Sequence, residues 1–142
     1  MSRHALLLIA GLCFLPMLSG CQTDSLHQVL YTEKSQVELR SAQTRVFNTT
    51  DKDLTVHNVI ATLQDLGFVV DKVDGTLGMV SATKLSGYVM RMTVTVRPHG
   101  ASQTAVRASA QYNLVAVSDP APYQQFFAAL EKAMFLTANE ID

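Results

Sequence analysis

The sequence predicts an α+β fold: one antiparallel sheet with two helices on one face, in the order β-α-β-β-β-β-α. Three observations carry this. Val56, Val59, Ile60, Leu63 and Leu66 recur at helical spacing, whereas the stretches from Tyr88 and from Thr104 alternate apolar and polar residues with a period of two. Near the end, Tyr123, Phe126, Phe127, Leu130, Met134 and Phe135 form one apolar stripe of a helix. Antiparallel hairpins with one wet face, and helices over the other, make a two-layer domain of these patterns.

The elements follow in order. Residues 37–47, rich in Thr, Val and Arg with rough alternation, predict a first strand. Asn48-Thr49-Thr50-Asp51 supplies capping residues for a helix over about 51–66, and Gly67 stands where a left-handed terminator belongs. Phe68–Val73 reads as a strand, Asp74-Gly75-Thr76-Leu77-Gly78 as a turn, and Met79–Leu85 as the returning strand. After Ser86-Gly87, the alternation points Tyr88, Met90, Met92, Val94 and Val96 inward and Arg91, Thr93, Thr95 and Arg97 outward. Pro98-His99-Gly100-Ala101-Ser102 turns the chain. Thr104–Val117 then alternates again, with Val106, Ala108, Ala110, Tyr112 and Leu114 inward and Arg107, Ser109 and Gln111 outward. Small inner residues such as Ala108 and Ala110 leave room for a helix to lie close. Asp119-Pro120-Ala121-Pro122 starts that helix. The order resembles the helix-grip domains of the outer-membrane lipoprotein BamC in architecture, a level that carries no function.

The first 36 residues follow different rules. Arg3 precedes an apolar run, Ala5–Leu15, that Pro16 breaks. A basic start, a short apolar core and small residues before a cut predict an export signal over 1–20. The run is too short for a membrane span, which takes about 20 residues as a helix. Leu18-Ser19-Gly20-Cys21 then resembles the lipobox of bacterial lipoproteins. That resemblance implies a diacylglyceryl group on the Cys21 thiol, cleavage before it, and acylation of the new amine, with palmitate as a typical acyl group. Two or three chains make attachment effectively permanent, where one binds only marginally. Gln22 in place of Asp implies the outer membrane, with the domain facing the periplasm. Residues 21–36 read as a lipidated tether, with Leu26, Val29 and Leu30 at the spacing of a short helix, and 37–142 as the globular domain. About 15 flexible residues span roughly 20 Å on average and at most ~50 Å when extended.

Removal of residues 1–20 from the 142-residue chain leaves 122, enough for one domain with a core. Ten Lys/Arg against twelve Asp/Glu then remain, a nearly neutral balance that argues against a nucleic-acid partner. Cys13 leaves with the signal and Cys21 carries lipid, so no disulfide forms within one mature chain, even in an oxidising compartment. Stability has to come from packing.

Little in the sequence points to catalysis. His27, His57 and His99 each stand alone, without ligand-spaced neighbours. Asp71 and Asp74 have the spacing of an acid–base or Ca²⁺ pair but bound a hairpin, where polar residues are ordinary. No metal or cofactor is expected, and no enzyme. The outward parity of Arg91, Arg97 and Arg107, interleaved with Thr and Ser, offers a mildly basic face for an acidic partner or an anionic lipid headgroup, or a plain solvated surface.

Thr62-Leu63-Gln64-Asp65-Leu66-Gly67-Phe68, followed by Gly78 and Ser81-Ala82-Thr83-Lys84, resembles a family of small uncharacterised bacterial lipoproteins. The likeness covers about Thr44 to Lys84 and the closing Tyr123–Leu136 helix. The family has no assigned reaction, so it implies no catalytic residue. The expectation is a non-enzymatic accessory module of an envelope assembly or transport complex, bound to the membrane through Cys21 and to another envelope protein. The alternative is a lipid- or small-ligand-binding protein, which would need a cavity among Phe126, Phe127, Tyr112 and Met92.

Overall fold

The computed structural model describes residues 35–139. The expected leader, Cys21 and nearly all of the expected tether therefore lie outside the described residues. Residues 35–42 form a helix, α1, where the sequence predicted a strand from 37; only Thr44–Phe47 (β1) is extended. Glu38, Leu39, Arg40 and Ala42 are good helix formers. Leu39 packs against the core while Val37 is exposed, so the apparent alternation did not mark a buried strand face. Gln43 makes the change of structure: its N–H donates to the Leu39 carbonyl, and its own carbonyl accepts from Ala108 N–H, both at 2.9 Å.

The next helix, α2 (Lys52–Asp65), is fixed at both ends by the residues the sequence singled out. The Asp51 carboxylate accepts from Leu54 N–H at 2.9 Å. At the other end, Gly67 has φ +82°, Gly67 N–H donates to the Gln64 carbonyl, and Phe68 N–H donates to that of Leu63, both at 2.9 Å. This is a complete Schellman closure, and Leu63 and Phe68 add the apolar contact that accompanies it by joining one core cluster.

Five further strands follow: β2 (Val69–Asp74), β3 (Met79–Ser86), β4 (Tyr88–His99), β5 (Gln103–Tyr112) and β6 (Val115–Ala116). They form one antiparallel sheet in the order β1-β5-β4-β3-β2, with β6 paired to β5. A bulge between Val70 and Lys72 interrupts the edge strand β2. Gly78 (φ +64°) closes the β2–β3 turn, and a Cβ there would overlap the Val96 carbonyl oxygen. Two expectations fail where β5 ends. Asn113 takes φ +52° and reverses the chain into β6. Leu114, expected inward, is therefore exposed on the turn, and Tyr112 is only partly covered.

The last helix, α3 (Ala121–Asn139), lies with α2 on one face of the sheet, as the α+β pattern predicted. Tyr123, Phe126, Phe127 and Leu130 are fully buried. Phe135 was expected on the same stripe but is exposed; nine residues after Phe126 it points about 180° away on a helix of 100° per residue. Beneath α2 and α3 lie Val80, Ala82, Met92, Val94, Val96, Val106, Ala108 and Ala110. Cross-strand pairs Val94↔Ala108 and Met92↔Ala110 set a large residue against a small one, so aromatic rings from α3 can settle close to the backbone.

One buried polar group ties this layer together. The Tyr123 hydroxyl donates to the Val117 carbonyl at 2.7 Å and accepts from Ala110 N–H and Gln43 Nε2, each at 3.2 Å. It thus joins the end of α1, strand β5 and the segment leading into α3. A buried polar group without partners is costly, and this one is fully partnered.

Candidate functional site

Among the described residues, α2 and α3 cover one face of the sheet and leave the other open. On the open face Arg97 and Arg107 border a groove of about 540 Å³ floored by Thr44, Thr93, Thr95, Ala105 and Ser109. The register explains the grouping. Thr95 pairs with Arg107 and Arg97 with Ala105, so the two guanidinium groups are diagonal neighbours on adjacent strands, roughly 7–8 Å apart at their backbones. Among the described residues no carboxylate lies within ion-pair distance of either; the ion pair found there is Arg45–Glu131, at 3.7 Å.

Arg91 is exposed on the same face but does not join the groove. It lies six residues before Arg97 on β4, roughly 20 Å along the strand. Across the strand stands Thr83, whose hydroxyl donates to the Asp71 carboxylate at 2.6 Å. The three arginines therefore share a face, and two of them share a site. Arg45 is a different kind of arginine. Its guanidinium donates to the Ser41 and Thr44 carbonyls and lies 5.2 Å from the centroid of the Phe127 ring, so it serves the core's edge.

A second concavity sits on the helix side, where α2 ends and α3 begins. It encloses about 320 Å³, with apolar walls from Leu66, Phe68, Tyr88, Met90, Met92 and Tyr112. Lys84, Ser86, Asp119 and Gln125 supply its polar groups. The Lys84 ammonium donates to the Leu66 carbonyl at 2.8 Å and stands 5.6 Å from the Phe68 ring centroid. That contact places a cation at the negative end of α2. The Asp119 carboxylate accepts from Ala121 N–H at 2.9 Å and so caps α3. Tyr112 and Met92 line this cavity as expected, but Phe126 and Phe127 do not; both are sealed in the core. Lys84 and Asp119 had no place in the expected site. Strand parity would have found Lys84, which follows Val80 and Ala82 on the inner face at the position where the apolar pattern breaks.

The remaining polar candidates have local roles. His57 Nδ1 is 3.0 Å from the Asp53 carbonyl on an exposed flank of α2. Asp74 accepts from Leu77 N–H at 2.9 Å and shapes the β2–β3 turn, while Asp71 holds Thr83, so the two carboxylates serve separate contacts. His99 is exposed at the end of β4, and His27 lies outside the described residues. Among the described residues no three of His, Cys, Asp and Glu cluster as a metal site would require, and no helix is long and apolar enough to cross a membrane. No protein-family model and no curated protein matches this chain.

Proposed function

We propose that this chain is an outer-membrane lipoprotein, anchored through lipid on Cys21, whose periplasmic domain is a non-enzymatic docking module of an envelope assembly or transport complex. The observation that carries the docking role is the groove of Arg97 and Arg107 on a sheet face that no helix among the described residues covers. Two like charges on neighbouring strands repel slightly even in water, a small penalty that packing alone gives no reason to accept. Two guanidinium groups above a floor of threonine and serine hydroxyls instead suit an acidic protein surface, by charge and by bidentate hydrogen bonding. The anchor rests on Leu18-Ser19-Gly20-Cys21 and on the apolar run before it.

Two measurements test this. Metabolic labelling with a fatty-acid probe should mark the native chain and leave Cys21→Ser unlabelled and uncut, since a hydroxyl is too weak a nucleophile to form the thioether. Label retained on the variant rejects the anchor. For docking, crosslinking in intact cells should recover a partner from the native chain and much less from Arg91→Gln/Arg97→Gln/Arg107→Gln at matched abundance. Arg97→Gln/Arg107→Gln should account for most of that loss. Equal recovery leaves the arginines as solvated surface.

The cavity of about 320 Å³ favours a second reading, in which the domain holds a small amphiphile. Its volume lies at the low end for ligand sites. Apolar walls with the Lys84 cation suit an acyl or aromatic body carrying an acidic head, the Asp119 carboxylate of the same lining being engaged by Ala121 N–H. Titration with a fluorescent long-chain fatty acid should then saturate, and Lys84→Gln should weaken it about tenfold. Binding that does not saturate rejects this reading.

A further inference from the structure

Two hairpin tips meet at one end of the sheet, and neither carries a charge. The first, Leu85–Met90, turns at Gly87; the second, Tyr112–Ser118, turns at Asn113 and Leu114. The Met90↔Tyr112 pairing and the hydrogen bond from Asn113 N–H to the Val89 carbonyl (3.1 Å) hold them side by side. Large apolar side chains there face solvent: Leu114 is 92% exposed, Leu85 76%, Tyr88 75% and Val115 72%. Tyr88 and Tyr112 meet edge to face between the tips, their ring centroids 6.2 Å apart. Single exposed leucines are ordinary, but a cluster built from two separate turns, with no Asp, Glu, Lys or Arg among them, marks a contact surface.

We propose that this end of the sheet rests in the interfacial layer of the bilayer that carries the Cys21 anchor, an inference that depends on the anchoring proposed above. The chemistry suits that layer. Leucine and valine side chains enter the outer acyl region, and tyrosines place a ring below and a hydroxyl at the level of the headgroups. The chain outside the described residues sets the range. Cys21 is fourteen residues before the first described residue, which limits the separation to about 50 Å even if fully extended. Tethering at that range keeps the tip at a high effective concentration near lipid, so a contact too weak to hold a free domain suffices. In this pose the cavity beside Lys84, Tyr88 and Tyr112 opens next to the membrane surface. The Arg97–Arg107 groove, further along β4 and β5, stays clear of it.

The chain contains no tryptophan, so one introduced tryptophan reports its own surroundings. Leu114→Trp probes the proposed contact. Ala101→Trp, in the turn at the opposite end of the β4–β5 hairpin, is the control, and Leu85→Trp repeats the probe on the other tip. Each full-length lipidated protein is reconstituted into vesicles of phosphatidylethanolamine and phosphatidylglycerol with brominated acyl chains. Flotation reads the anchor; bromine quenching reads the tip. The expected result is flotation of all three, with emission cut about twofold or more for Leu114→Trp and Leu85→Trp and unchanged for Ala101→Trp. Loss of flotation overturns the anchoring itself. Flotation without quenching at the tips, or with equal quenching at Ala101→Trp, overturns the membrane contact alone. A blue-shifted but unquenched Leu114→Trp means that protein covers the tip, and overturns it as well.

Discussion

The two faces of the sheet are made by the same strands and do opposite things. On β5, Val106, Ala108 and Ala110 are buried under α2 and α3, while Arg107 and Ser109 between them stand in the open. On the inner face the Tyr123 hydroxyl holds three partners, one of them the Gln43 amide. On the outer face two arginines have no carboxylate within reach among the described residues. Desolvation explains the difference. A polar group taken from water without a partner costs on the order of 1–3 kcal/mol, whereas an exposed one keeps its water and remains available. The covered face thus holds the fold together, and the open one is free to bind.

Adjacent residues on one strand break this comparison most sharply. Ala108→Arg puts a charge into the fully buried inner face and should abolish cooperative unfolding of the domain, since a buried unpaired charge costs more than about 4 kcal/mol. Arg107→Ala, one residue away, should leave the melting curve within about 0.5 kcal/mol of native. If the two variants melt alike, the assignment of faces is wrong.

Tyr123→Phe comes next. It keeps the ring and removes the hydroxyl, leaving Ala110 N–H, the Val117 carbonyl and the Gln43 amide without that partner. A loss of about 2 kcal/mol is expected, or a fall in Tm on the order of 10 °C. An unchanged Tm would mean that water enters and replaces the hydroxyl.

Gly67→Val should have a smaller effect, of about 1–2 kcal/mol, because a β-branched residue must take the positive φ of the Schellman closure. Gly67→Asn, which tolerates that backbone, should recover most of it; equal losses would place the cost elsewhere. The smallest effect belongs to the open face. Arg91→Gln/Arg97→Gln/Arg107→Gln should unfold within about 0.5 kcal/mol of native, so that any loss of partner recovery reports docking and not folding. A larger drop would show that these side chains support the sheet.

Much of the molecule was written locally. Asp51 and Gly67 bound α2 because a capping carboxylate and a residue free to take positive φ act on their own backbone neighbours. The period of two in β4 turned Arg91 and Arg97 outward, and that in β5 did the same for Arg107, since alternation is a property of the strand itself. Tertiary structure decided the rest. The helix from 35 gives way to strand at Gln43, which pairs with Ala108 and Tyr123, residues that sequence spacing does not connect. Strand register, not parity, set Arg97 beside Arg107 and left Arg91 apart. The reversal at Asn113 exposed Leu114 and built the uncharged end of the sheet from two turns far apart in the chain. Periodicity specifies which way a side chain points, because that depends on the local backbone. Its neighbours depend on which strands pair and how helices settle on them, and those choices are made only when the whole layer packs.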